Sequence, residues 1–294
     1  MFPQPYCCFA SKSTYLHPRS NPLNFKILVP PTSRSIPAQH TNSTAPPLNI
    51  NAKTNTMVPH VVLATAAHTH TIILLHGRDS TAAEFAPEFF ESQASDERTL
   101  QKTFPGIKWV FPPAPTIQSA RFQTDMSQWF DMYCTETPHE QYPNSTNSVA
   151  VDRQLTGASA AITTIVDEEA QIIGRDHVFL GGISQGCATA VDALLRMDQR
   201  LAGFIGMCSW LPKQSGYECT SGAKQTPVLL AHCENDEIID IKYGKELRDE
   251  LVKMGCHVEW HNYEDGGHWV NEPKAVDDII AFIRQRLSGS SEQQ

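Results

Sequence analysis

Five residues, Gly182-Ile183-Ser184-Gln185-Gly186, set a serine between two glycines. The run before them, His177–Leu180, is apolar and strand-like, and the run after them, Ala188–Met197, has a helical pattern. On a sharp strand-to-helix turn, small flanking residues let a serine sit at the tip with its hydroxyl exposed. The new helix also points its free N–H groups at the tip, which favours negative charge there. These are the requirements for attack on a carbonyl and for holding the oxyanion that results. A serine hydroxyl is too weakly acidic to attack unaided. It needs a general base, and that base needs an orienting carboxylate.

With the nucleophile on such an elbow, the partners follow in the order Ser, acid, His, which is the pattern of an α/β-hydrolase. Downstream, the strand-like Val228-Leu229-Leu230-Ala231-His232 runs into Cys233-Glu234-Asn235-Asp236-Glu237. Asp236 is the expected acid; Glu234, Glu237 and Asp240 are close enough that spacing alone leaves them open. The base is expected in the loop after the last strand, Val258–Tyr263, where Gly266-Gly267-His268 places His268. His257 and His261 are assigned to that strand and read as structural, because their spacing forms a zinc pair only on a helix. His68 and His70 precede the first core strand and read as a solvated leader in preference to a metal pair. One oxyanion donor is expected to be the backbone N–H of Gln185. The other is expected in the loop His76-Gly77-Arg78-Asp79-Ser80. Such chemistry needs no metal and no organic cofactor.

The elements that must position these groups alternate from about residue 60 onward. Thr71–Leu75, Lys108–Phe111, His177–Leu180, Ala202–Met207, Pro227–Ala231 and Val258–Tyr263 read as strands. Helical spacing marks Val149 to Ile173, Ala188–Met197, Tyr243 to a stop at Gly255, and Val276 to Leu287. Strands separated by helices of this length imply a mostly parallel sheet covered on both faces.

The bulk numbers exclude several classes. A net charge of −9 over 294 residues, with no basic cluster, argues against a nucleic-acid surface. No apolar run is long enough to span a bilayer as a helix. The eight cysteines are irregularly spaced with no C-x-x-C, so reduced thiols are expected, not a zinc ribbon or a disulfide scaffold. Residues 1–56 differ in kind: nine prolines, five Lys or Arg, no Asp or Glu. They are expected to be a disordered or leader-like extension, with Met57 opening a catalytic domain over 57–290 and a short tail at 291–294. An organellar transit peptide and acylation at Cys7-Cys8 are the alternatives for the extension. No h-region supports secretion, so the Asn42 and Asn144 sequons carry no weight and a cytoplasmic location is expected.

The ordered blocks resemble those of the acyl-protein thioesterases and their carboxylesterase and lysophospholipase relatives. They are Leu75-His76-Gly77, Phe111-Pro112-Pro113-Ala114-Pro115, Met126-Ser127-Gln128-Trp129-Phe130-Asp131, Gly181 to Gly186, Ser209-Trp210-Leu211-Pro212, the Asp236 loop and Gly267-His268, across about 71–288. The resemblance implies a single-domain α/β-hydrolase without a large cap. It places catalytic roles on Ser184, Asp236 and His268, and oxyanion donors on the N–H groups of Arg78 and Gln185. It also implies ester or thioester hydrolysis through an acyl-enzyme, with acylated proteins or small esters and thioesters as partners. A hydrolase dedicated to one metabolite and a catalytically silent binding protein are the competing classes. Departures are the shortened His76-Gly77-Arg78-Asp79 loop, where the Arg78 side chain either shapes the site or points to solvent, and Cys187 in place of a glycine. Tyr133–Asn147 reads as a longer edge loop over the entrance, and Trp129 and Trp210 as core or acyl-site lining.

Overall fold

Strand-sized runs that are apolar on both sides are the mark of a sheet buried on both faces. In the computed structural model, which describes residues 58–138, 145–212 and 216–289, these runs form the inner strands. The chain passes through β1 (His60–Val62), β2 (His70–Leu75), α1 (Ala82–Glu91), α2 (Leu100–Thr103), β3 (Ile107–Phe111), β4 (Thr116–Gln118) and β5 (Asp125–Ser127). It continues through α3 (Ser145–Ile173), β6 (Val178–Ile183), α4 (Gln185–Leu195), β7 (Gly203–Met207) and α5 (Ser221–Gln225). It ends with β8 (Val228–Cys233), α6 (Ile241–Lys253), β9 (Val258–Tyr263) and α7 (Lys274–Gly289).

One seven-stranded sheet has the order β1-β3-β2-β6-β7-β8-β9. Only β1 is antiparallel to its neighbour; the other pairs are parallel. β4 and β5 form a separate two-stranded hairpin. The period-two alternation of β2 divides the core between the two faces. Ile73 and Leu75 pack with Leu155 and Val166 of α3, Val191 and Leu194 of α4, and Leu247 and Leu251 of α6. Ile72 and Leu74 pack on the other face with Phe85 and Phe89 of α1 and Ile279, Phe282 and Ile283 of α7. This is the expected α/β-hydrolase arrangement of helices on both faces of a mostly parallel sheet. All the loops that carry candidate chemistry leave the C-terminal ends of parallel strands, where open α/β sheets hold their ligands.

Several boundaries differ from expectation. The helix after the elbow begins at Gln185, not Ala188, because Ser184 itself caps it. The long helix starts at Ser145, so it takes in residues expected to form an edge loop; only Tyr133–Pro138 of that loop is described as irregular. The strand before the elbow runs Val178–Ile183, and His177 belongs to a 3-10 turn at Arg175–His177. His257 precedes β9 instead of lying on it. The expectations for residues 1–56, Cys7-Cys8, the Asn42 and Asn144 sequons and 291–294 lie outside the described residues. Among the described residues, no helix is long and apolar enough to cross a membrane.

Candidate active site

The elbow is built by steric exclusion. Ser184 occupies the N-cap position of α4 at φ 55 and ψ −127, a sparsely populated conformation that costs a non-glycine residue about 1–3 kcal/mol. Two bonds hold it: its N–H donates to the Met207 carbonyl at 2.9 Å, and Ser209 Oγ donates to the Ser184 carbonyl at 2.7 Å. A Cβ on Gly186 would lie 2.3 Å from the His76 carbonyl oxygen, and one on Gly182 would lie 2.7 Å from the Cys187 nitrogen. Both glycines are therefore fixed by backbone approach. An added Cβ on Gly77 would sit 3.5 Å from Ser184 Cβ, so the His76–Ser80 loop runs beside the serine.

The other blocks converge on the same point. The Gln185 side chain accepts from the Trp129 N–H at 3.0 Å and donates to the Phe130 carbonyl at 2.7 Å. Trp129 Nε1 donates to the His76 carbonyl at 2.9 Å. His76 Nε2 accepts from the Ala114 N–H at 3.1 Å, which leaves its Nδ1–H to meet the Gly77 carbonyl at 2.8 Å. Burial lowers the His76 pKa to about 4, so the ring stays neutral and locks both loops. Trp129 and Trp210 are fully buried in the core and do not line the cleft. Trp129 fixes the loops around it through its bonds to Gln185 and His76.

At the ends of β8 and β9, His268 Nδ1 lies 2.8 Å from Asp236 Oδ2. Asp236 Oδ1 accepts the backbone N–H groups of Ile238 and Ile239, each at 2.9 Å. Burial by itself would raise this carboxyl, but hydrogen bonds from His232 and His268 hold it well below the ordinary carboxylate range. Gly266 and Gly267 both have positive φ, and the Gly267 N–H donates to Asn235 Oδ1 at 2.9 Å, tying the histidine loop to the acid loop. Of the other acids left open by spacing, Glu234 binds Asn262 and the Asp240 side chain caps α6, while Glu237 lines the cleft beside Ser184 and His268.

His232, at the end of β8, was not anticipated from the sequence. Its ring is buried, and Nε2 lies 3.1 Å from Asp236 Oδ2 and 2.9 Å from the Ile239 carbonyl. That carbonyl requires a proton on Nε2, so His232 donates to the same carboxylate oxygen that His268 uses. The signal was available: His232 stands four residues before the acid, on the strand that delivers it.

Ser184 and His268 line one cleft of about 330 Å³ together with Gly77, Arg78 and Ser80. Its apolar wall includes Phe85, Met132, Ile183, Ile238 and Trp269; Glu88 and Glu237 add carboxylates. Burial, then Glu84 and Glu91, raise the Glu88 pKa. The solvent-directed alternative for Arg78 is corrected: the residue is buried and Nη1 donates to the Met132 carbonyl at 3.0 Å. Its side chain thus ties the His76–Ser80 loop to the cleft wall. Cys187 is buried in the core, and burial pushes its thiol up to about 12, so no accessible thiolate stands at this position.

Donor atoms of Cys208, Asp236 and His268 lie within 4.8 Å of one another, a set of metal-ligand types. Asp236 already receives His268, His232 and two backbone donors, so an ion there would have to break the 2.8 Å bond to His268. The solvated-leader expectation fails for His70, which is buried on β2 and contacts His177 at 3.1 Å, while His68 contacts Thr71. His261 contacts Glu259 and Asp278 at the sheet edge.

The sequence profile of the Phospholipase/Carboxylesterase family matches residues 57–287. A protein called acyl-protein thioesterase 1 from Gibberella zeae is 29% identical over 240 residues, covering 79% of this chain and 96% of that one. A probable carboxylesterase, SOBER1-like, from Arabidopsis thaliana is 26% identical over 226 residues, covering 75% and 80% of the two chains. The crystal structure of Zea mays acyl-protein thioesterase 2 superposes with a TM-score of 0.61 at 22% identity, over 79% of this chain and 99% of that one.

Proposed function

Because the chain belongs to the Phospholipase/Carboxylesterase family and is an ester or thioester hydrolase, we propose that Ser184, His268 and Asp236 are its catalytic triad. Ser184 Oγ attacks the acyl carbonyl carbon while His268 takes the hydroxyl proton. With Nδ1 held by Asp236, the nitrogen that faces this task is Nε2. The oxyanion is received by the backbone N–H groups of Arg78 and Gln185, on the two loops that flank the serine. His268 returns the proton to the departing thiol or alcohol, leaving an acyl-Ser184. Water, activated by the same imidazole, then releases the acid. The observation that carries this is the 2.8 Å Asp236–His268 bond in the cleft that also holds the strained elbow serine.

The apolar wall of Phe85, Met132, Ile183, Ile238 and Trp269 supports an acyl chain as the group bound, and thioester-linked acyl groups on protein cysteines as the leading substrate. The catalytic domain is placed at 57–290, a span supported by the profile match over 57–287. Replacing Ser184 by Ala abolishes covalent labelling by a fluorophosphonate probe; undiminished labelling overturns the triad. Turnover on a series from acetyl to palmitoyl, as oxygen and thiol esters, tests the substrate. A steep preference for acetyl overturns the fatty-acyl assignment while leaving the triad intact.

A further inference from the structure

Six cysteines are described as free thiols, and they differ sharply in what each sulfur faces. Cys208 and Cys233 face each other and both point at the Trp269 carbonyl, at 3.5 Å each, but both are buried, so neither thiol is open to a reagent from solvent. Cys134 is half-exposed, but its thiol faces the Glu136 carboxylate at 2.8 Å, not another sulfur. Cys219 and Cys256 are different. Their Sγ atoms lie 3.5 Å apart, Cys219 is half-exposed, and Cys256 is buried directly beneath it.

Both residues are held in place on firm backbone. Cys256 follows Gly255, whose φ of 93 turns the chain out of α6, and its N–H donates to the Leu251 carbonyl at 2.9 Å. Cys219 precedes Thr220, which caps α5 through its side chain and donates to the Met197 carbonyl. The two segments lead into β8 and β9, the neighbouring strands that carry Asp236 and His268 at their far ends. Lys224 packs its stem against Gly255, beside the pair.

From this contact we propose that Cys219 and Cys256 form a reversible disulfide, made by exchange with a low-molecular-weight disulfide of the glutathione type. The exposed partner reacts first. The Cys219 thiolate attacks one sulfur of oxidised glutathione, forms a mixed disulfide and releases one glutathione thiolate. Cys256 keeps its proton until then, because burial pushes its pKa up to about 12. Its sulfur next attacks that of Cys219, its proton passes to the departing thiolate, and the second glutathione leaves. The two cysteines lose two protons and two electrons, and one oxidised glutathione takes them up to become two thiols. The sulfurs need to close from 3.5 Å to about 2.05 Å. The bond would clamp the entrances of β8 and β9, at the opposite end of the sheet from Ser184.

The test is native full-length protein incubated with oxidised glutathione, alkylated, digested and mapped by mass spectrometry. Expected is a peptide pair linked through Cys219 and Cys256 that dithiothreitol releases, with Cys134 either unmodified or carrying glutathione. The cross-link spans 37 positions, so it should raise the Tm by roughly 5–10 °C, with ester hydrolysis unchanged. In Cys256→Ser, Cys219 should accumulate as the mixed disulfide. A wild-type protein in which Cys219 stays unmodified, or keeps glutathione while Cys256 remains a free thiol, overturns the proposal.

Discussion

His232 gives the sharpest test of how the acid is held. Asp236 Oδ2 is shared between His268 Nδ1 at 2.8 Å and His232 Nε2 at 3.1 Å, while two backbone N–H groups grip Oδ1. Replacing His232 by Met keeps much of the volume and removes the donor; replacing it by Gln keeps an N–H near the place of Nε2. A hydrogen bond to a charged group contributes about 1.5–3 kcal/mol. Because the backbone still anchors Oδ1, the carboxylate stays in register and only the lower part of that range reaches the transition state. About 1.4 kcal/mol is a factor of ten, so kcat should fall roughly ten-fold in the Met variant with KM little changed. The sign of the pH effect follows. A carboxylate that loses a donor becomes more basic, binds the His268 proton more tightly, and moves the acid limb of kcat/KM to higher pH. The Gln variant should restore most of kcat and return the limb toward wild type. Steady-state kinetics on a p-nitrophenyl ester across pH, with Tm measured alongside, decides it. Equal losses in Met and Gln, or no loss in either, would refute a positioning role for His232 and leave it a packing residue.

Three further outcomes follow from the same geometry. Gly186→Ala should destabilise the protein by about 3 kcal/mol or more in urea unfolding and slow fluorophosphonate labelling, because its Cβ would lie 2.3 Å from the His76 oxygen; labelling at the wild-type rate would contradict this. His76 titrates near 6.5 when unfolded and at about 4 when folded, so the unfolded chain binds more protons between these values. Stability should therefore fall as pH drops through that window, by about 2 kcal/mol at pH 5 relative to neutral, and His76→Asn should remove this component from the urea curves. Cys187 should resist alkylation by N-ethylmaleimide in the native state and react only on unfolding; rapid native modification, read by peptide mapping, would show that the elbow helix opens.

What could be read in advance followed from how local each signal is. The inner strands were legible because β2, β6 and β8 are buried at every position, which leaves an uninterrupted apolar run in the sequence. The elements that escaped are those whose stability comes from elsewhere. Strands β1, β4 and β5 have three residues each and are partly or fully exposed, so neither length nor alternation marks them. Helix α1 carries Pro87 in its interior, a breaker by propensity, yet Phe85 and Phe89 bury against the sheet and Thr81 caps its start. Tertiary packing outweighs the local preference there.

The same distinction governs the site. Ser184 and His268 were found through glycines, because a positive φ or a backbone approach of under 3 Å leaves a compositional mark that needs no knowledge of the fold. Asp236 was one of four acids by spacing, since the contact that selects it, the bond from His268 on the neighbouring loop, exists only when β8 and β9 lie side by side. Arg78 shows the limit most clearly. Its position beside the oxyanion loop was visible, but not its direction, which depends on the Met132 carbonyl 54 residues away. Side-chain direction at a loop is set by long-range partners that adjacent sequence does not encode. In a hydrolase of this kind the proposed triad is therefore more legible than the wall of the proposed acyl cleft, and specificity has to be sought in residues such as Phe85, Met132 and Trp269, which no motif announces.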